Sequence, residues 1–285
     1  MIAVTGATGK LGRLVVDARL ERGVPAEEIA ALARTPARAD DLAARGVQVR
    51  EADYDRPETL DAALAGVEKL LLISADVVGR RAPQHRNVID AAKRAGVKFV
   101  AYTSILGADR SPMKLAQEHR ETEEMIRASG IPFTMLRNGW YLENYTENLA
   151  PTLEHGALLG SGEEGRVSAA TRADYAAAAA AVLTGEGPEN QVYELGGEPA
   201  FTLPELAEVI AAASGRPVQY RNLPEEEYAQ ALIGAGVPEP FAHVLADSDR
   251  AIARGDLHTE SRDLQRLIGK PTTSARQAVA AALAN

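Results

Sequence analysis

The 285-residue chain contains no cysteine. That excludes disulfides, thiolate nucleophiles and Cys-ligated metals together, and the five histidines show no HExxH-type spacing. No metal site is expected, so any chemistry must come from oxygen groups, His, Lys or a bound cofactor. Aromatic residues make up only 5% of the chain, with a single tryptophan. No cluster of Lys and Arg interleaved with aromatics offsets the formal charge of -9, which repels phosphate backbones, so nucleic acid is not an expected partner. No apolar run approaches the ~20 residues of a membrane span, and no basic region followed by an apolar stretch opens the sequence. We therefore expect no membrane insertion and place the chain in the cytoplasm. The sequence carries no signal for an oligomeric state.

What is present is an ordinary globular composition, 46% hydrophobic and 25% charged. Short apolar runs suited to buried parallel strands recur at residues 2–5, 29–33, 47–51, 69–74, 99–104 and 133–137. Each is separated from the next by an amphipathic or Ala-rich segment of helical length. Strands alternating with helices imply a parallel sheet covered on both faces, and right-handed crossovers leave the doubly wound arrangement as the main solution. The expected fold is α/β: a doubly wound parallel Rossmann-type sheet in residues 1–150. Residues 151–285 are expected to supply the remaining sheet elements and a smaller, mostly helical C-terminal lobe on the substrate side. There, SAATRADY leads into an Ala-rich helix with Asp174 near its start, VYELGG reads as a strand, and Thr202 and Ser274 read as helix caps.

The opening segment MIAVTGATGKLG places Gly6, Gly9 and Gly12 at G-x-x-G-x-x-G, directly after a predicted strand and at the start of a predicted helix. The first glycine allows a tight turn, the second lets backbone approach a pyrophosphate, and the third allows close helix–strand packing. The helix N-terminus adds free N–H groups and a partial positive charge. Gly6, Ala7, Thr8, Gly9, Lys10 and Leu11 are accordingly candidate cofactor residues, with Lys10 a further cation near the phosphates. The second strand ends not in the acid that suits an NAD ribose but in Arg34, with Arg38 one turn on. A guanidinium there suits a 2′-phosphate, which favours NADP(H) over NAD.

The segments TGATGKLG, RTPAR, EADY, LISADVVGRRAPQHRNVI, RNGWYLENY and SAATRADY together resemble the NmrA-like atypical short-chain dehydrogenase/reductases, and within them the NADPH-dependent quinone oxidoreductases of the second type. The likeness runs nearly end to end. It implies NADPH as cofactor and a quinone as acceptor. Related lines are the triphenylmethane dye reductases and, further off, NmrA-type regulators that bind the dinucleotide without catalysis, so a sensor or interaction protein is the alternative class.

Active short-chain dehydrogenases carry Tyr-x-x-x-Lys on the helix after the fifth strand, where the Tyr moves a proton and the Lys lowers its pKa. Counting back from the ASG turn that ends this helix, the Lys position falls on His119 and the Tyr position on Leu115. The usual pair is absent. His119 is open to two readings, a contact to ribose or substrate and a hydrogen-bonded structural residue. A quinone needs less acid help than a ketone, because hydride addition yields a phenolate-like anion with a reference pKa near 10. Solvent or a nearby hydroxyl, with Tyr141 the candidate, can complete that step.

Later strand ends should supply the nicotinamide surroundings: Ser74 after the fourth strand, and Thr103 and Ser104 after the fifth. The resemblance makes residues 138–143 the cofactor-side loop. Asn138 offers an amide and Gly139 a close backbone approach, Trp140 or Tyr141 offers a flat wall, and Glu143 closes the segment. Core packing is the competing reading for Trp140. Arg80 and Arg81 fit either a phosphate-covering loop or a solvated one.

Overall fold

A computed structural model describes residues 1–185 and 190–284. In chain order its first elements are β1 (Ile2–Val4), α1 (Lys10–Glu21), β2 (Ile29–Ala33), α2 (Asp40–Ala43), β3 (Gln48–Glu51) and α3 (Pro57–Ala63). Next come β4 (Lys69–Leu72), α4 (Arg81–Arg94), β5 (Phe99–Ile105), α5 (Lys114–Ser129), β6 (Phe133–Asn138), α6 (Glu143–Thr146) and α7 (Ala150–His155). The chain continues through β7 (Ala157–Gly160), β8 (Arg166–Val167), α8 (Arg172–Thr184), β9 (Gln191–Leu195), β10 (Phe201–Thr202) and α9 (Leu203–Ser214). It ends with β11 (Gln219–Asn222), α10 (Glu225–Gly234), α11 (Glu239–Ala253), α12 (Asp263–Ile268) and α13 (Ala275–Ala284).

Seven strands form one sheet in the order β3-β2-β1-β4-β5-β6-β9. β1 pairs in parallel with both β2 and β4, Ile2 standing opposite Ile29 and Lys69. The strand order reverses at β1 and β4, because the chain first winds outward to β3 and then returns to the other side of β1. In such sheets a crevice opens at the carboxyl ends of the strands where the order reverses. All five residues of β2 and all seven of β5 are buried, as expected for a sheet covered on both faces. Leu70, Leu72, Val100, Tyr102 and Met135 pack with Leu60, Leu64 and Val88 into one core cluster, each large side chain contributing roughly 1.5–3 kcal/mol of burial.

The division of the chain differs from a single cut at residue 150. One compact unit holds Met1–Ser104, Glu118–Arg137 and Arg172–Tyr193, and the other holds Ile105–Gln117, Asn138–Thr171 and Glu194–Asn285. In the first unit α8 packs on α1 through the run Ala176–Ala180, whose small side chains let the helices approach. Buried Arg19 on α1 donates to the Ala180 carbonyl and the Thr184 hydroxyl, and burial lowers its pKa. Lys69 donates to the carbonyls of Leu183 and Gly185 at 3.3 and 2.8 Å, meeting the negative end of α8.

The second unit carries two short pairs, β7–β11 parallel and β8–β10 antiparallel, among its helices. Thr202 caps α9 through a capping box with Glu205, and Ser274 accepts the Gln277 amide at the head of α13, as the sequence predicts. Asp249 on α11 is buried and accepts the Ser161 amide at 2.8 Å. Burial pushes its carboxyl up to about 7.

Candidate functional site

Gly6 leaves β1 with a φ of 57°, the left-handed region that residues with a Cβ seldom adopt. The Gly9 amide turns back to the Gly6 carbonyl at 2.9 Å, and Arg13 donates to the Gly9 carbonyl at 3.1 Å. Helix α1 therefore starts at Gly9 with no side chain capping it, and its first-turn N–H groups are left for an anion. A Cβ on Gly12 would lie 2.2 Å from the Gly6 carbonyl oxygen and 2.8 Å from Ala7 Cα, so the helix rests directly on the turn. The Ala7 amide donates to the Leu32 carbonyl at 3.1 Å and the residue is fully buried. Ala7 thus pins the turn to β2 and does not line the cleft, and Leu11 packs inward. Lys10 is exposed at the start of α1.

Beside this turn lies a cleft of about 300 Å³ at the carboxyl ends of β1 to β4. It brings together Gly6, Thr8, Gly9, Arg34 and Ser74 of the expected residues, with Arg38, which the sequence places one turn beyond Arg34. Arg34 and Arg38 are exposed at its rim, and neither has an ion-pair partner among the described residues. The turn that carries Arg38 is fastened to α1: Arg13 donates to the Arg38 carbonyl at 2.6 Å and pairs with Asp41. That pairing holds the Asp41 carboxyl below the ordinary carboxylate range.

Asp53, Tyr54, Asp76 and Gln84 also line the cleft and escaped the sequence reading. The signal for the first two was the position of EADY at the end of the third strand, on the edge where such sheets take ligands. The Tyr54 hydroxyl lies within donating reach of Thr5 Oγ1 and, at 2.9 Å, of the Ile73 carbonyl, tying the ends of β1, β3 and β4 together. Burial raises its pKa, so it stays a neutral hydroxyl. Gln84 donates to Asp55 at 2.9 Å while its buried Oε1 has no hydrogen-bond partner among the described residues.

The ends of the later strands divide. Thr103 Oγ1 accepts the Ser74 amide at 2.9 Å, so these two expected residues meet at the wall of the cleft. Ser104 does not join them: its hydroxyl donates to Glu123 at 2.7 Å, and Glu123 is in turn bound by Arg137 at 2.7 and 2.9 Å. Ser104 serves a buried ion pair between β5, α5 and β6, because adjacent residues of a strand face opposite sides of the sheet. His119 is buried, with Nδ1 2.7 Å from the Tyr102 hydroxyl and Nε2 3.4 Å from Arg81 Nη1. Burial and the neighbouring Arg81 push its pKa well below the ordinary value. Of its two readings the geometry favours the structural one, since His119 is held in a polar cluster and does not line the cleft. Arg81 donates to the Ala75 carbonyl at 2.5 Å, and Arg80 pairs with Asp55 at 2.8 Å. Both arginines therefore fasten the loop after β4.

Residues 138–143 belong to the second unit. Asn138 is buried, its carbonyl accepts the Leu106 amide at 2.9 Å, and its Oδ1 has no hydrogen-bond partner among the described residues. The Gly139 amide donates to the Leu195 carbonyl at 2.8 Å, and Trp140 is buried with its carbonyl accepting the Ala170 amide. Tyr141 is half-buried in a bridge with Ala170, and Glu143 opens α6.

Comparison with known proteins gives a concordant result. The sequence model of the NmrA-like family matches residues 1–273. Quinone oxidoreductase 2 of Escherichia coli (strain K12) is 54% identical over 279 residues, covering 98% of this chain and 97% of that protein. A crystal structure of NADPH-dependent quinone oxidoreductase from Escherichia coli, complexed with NADPH, superposes with a TM-score of 0.96 at 53% identity over the whole of both chains. The Citrobacter sp. triphenylmethane reductase complexed with NADP(H) superposes with a TM-score of 0.95 at 43% identity, over 99% of this chain and 100% of that one.

Proposed function

This chain belongs to the NmrA-like family, and from that premise we propose that it is an oxidoreductase that passes hydride from NADPH to a quinone or a comparably electron-poor acceptor. The observation that carries the cofactor assignment is the cleft at the Gly-rich turn with two arginines at its rim. The residues fit a dinucleotide with a 2′-phosphate: α1 begins without a side-chain cap, Gly6 takes a left-handed φ and Gly12 leaves no room for a side chain, and neither guanidinium group has an ion-pair partner among the described residues. The α1 N-terminus and the Gly9 backbone would hold the pyrophosphate, and Arg34 with Arg38 the 2′-phosphate. NADPH, when bound, supplies the hydride and the protein supplies binding and orientation.

The protein side of the reaction needs little acid chemistry. By count along the sequence Leu115 and His119 stand where a Tyr/Lys pair is expected; Leu115 is buried, and His119 is held between Tyr102 and Arg81. A reduced quinone leaves as a phenolate-like anion whose protonation near neutral pH needs no dedicated strong acid. We assign that proton to solvent. The test is steady-state NADPH oxidation by purified protein against a panel of benzoquinones, naphthoquinones and dyes. Saturable, protein-dependent turnover with a quinone is expected; measurable NADPH binding with no turnover across the panel would instead make the protein a dinucleotide sensor.

A further inference from the structure

The wall of the cleft formed by Ile73, Ser74, Ala75 and Asp76 has no regular secondary structure, yet its backbone is held from Ile73 to Ala75. The Ile73 amide donates to Thr5 Oγ1 at 2.8 Å and the Ser74 amide to Thr103 Oγ1 at 2.9 Å. Ala75 is gripped on both sides: its amide donates to His85 Nε2 at 2.9 Å and its carbonyl accepts from Arg81 Nε at 2.5 Å. His85 is completely buried on α4, with its ring edge-on to those of Tyr54 and Tyr102, centroids 6.1 and 5.5 Å away.

The donor and acceptor roles at His85 follow from chemistry. A backbone amide can only donate, so Nε2 must be the bare, accepting nitrogen of a neutral ring. The ring proton then sits on Nδ1, which lies 2.8 Å from Thr122 Oγ1, and the Thr122 hydroxyl passes its own proton to the Glu118 carbonyl at 2.9 Å. Burial beside Arg81 keeps the imidazole neutral.

We propose that His85 is a positioning residue for the cofactor cleft: its Nε2 fixes the Ala75 peptide, and Thr122 on α5 selects the tautomer that allows it to do so. This rests on reading the cleft as the NADPH site. His85 touches no ligand; it acts through the Ser74–Asp76 backbone. The distinction matters because a side chain serving only the core would lower stability without altering that segment.

The experiment uses the full chain and reads two quantities, amide hydrogen exchange across residues 73–80 without cofactor and the Kd for NADPH. His85→Leu removes the acceptor and leaves the half-buried Ala75 amide without its partner. It should speed exchange in this segment and weaken NADPH by about tenfold each, while KM for the quinone at saturating NADPH stays unchanged. His85→Gln places an amide oxygen where Nε2 was and should restore both values to within about threefold of wild type. Thr122→Val, which removes the tautomer's partner but not the ring, should fall between the two and covers the case in which His85→Leu does not fold. Val88→Ala, a core truncation on the same helix, should lower the melting temperature and leave segment exchange unchanged. Equal exchange in wild type, His85→Leu and Thr122→Val, or equal acceleration by Val88→Ala, overturns the positioning role. Because exchange is read without cofactor, it decides that role even if wild-type protein fails to bind NADPH, a result that would overturn only the cofactor reading.

Discussion

Replacing Arg34 by alanine should change which nicotinamide cofactor the protein prefers. Arg34 and Arg38 are both exposed at the rim of the cleft, and neither is held by a protein carboxylate among the described residues. A charge-assisted bond between a guanidinium and phosphate is worth roughly 1.5–3 kcal/mol, and solvent exposure at the rim brings this toward ~1–2 kcal/mol. The expected loss is therefore about 5- to 30-fold in NADPH affinity. NADH has no 2′-phosphate and should bind Arg34→Ala about as well as wild type. The double variant Arg34→Ala/Arg38→Ala should lose more NADPH affinity than either single change, and by less than the sum if both guanidinium groups grip one phosphate. The assay is titration of NADPH and NADH by calorimetry or cofactor fluorescence at low and high salt, since an exposed ion pair weakens as salt rises. Equal weakening of both cofactors by Arg34→Ala, or a preference insensitive to salt, would refute the assignment of the 2′-phosphate to this rim.

Three further outcomes are expected. Gly12→Ala would gain helix propensity in an open helix, but here its methyl meets the Gly6 carbonyl at 2.2 Å; chemical denaturation should show a loss of about 1–3 kcal/mol, with weaker NADPH binding, and a gain in stability would contradict the packing described. Asp249 has a carboxyl pushed up to about 7, so between about pH 4 and 7 the folded protein holds a proton that the unfolded chain has released. Its contribution is present at low pH and lost as pH rises through 7, by at most about 4 kcal/mol, and Asp249→Asn should be relatively more stable than wild type at pH 8 than at pH 5; an unchanged difference across that range would show that Asp249 is not the group responsible. His119→Ala should lower stability by roughly 2 kcal/mol and leave quinone turnover measurable, whereas loss of turnover with normal NADPH affinity would assign His119 a catalytic part.

The elements that position the site were legible because their signals are local. The runs at β1 to β6 show in the sequence as apolar segments, and the Gly6–Gly12 turn and the Thr202 cap depend on residues a few positions apart. The cleft's other lining was not legible, because it depends on pairings across the chain. Thr103 and Ser104 are neighbours in β5 with opposite fates, one toward Ser74 and the other toward Glu123, and the choice is set by which helix covers each face. No local motif marks His85, and only the fold brings it to the Ala75 amide and Thr122. A boundary drawn at residue 150 follows the break in the strand–helix rhythm, whereas the compact units interleave along the chain, the first of them including Arg172–Tyr193.

We expect this protein to bind NADPH and to deliver its hydride to a quinone without a dedicated Tyr/Lys pair. The most direct measurement is an anaerobic single-turnover reaction of benzoquinone with the protein–NADPH complex, using NADPH deuterated at the transferred position of the nicotinamide. The account predicts oxidation that depends on the protein, saturates with quinone and slows on deuteration. Oxidation no faster than in buffer, from a protein shown to be loaded with NADPH, would contradict it.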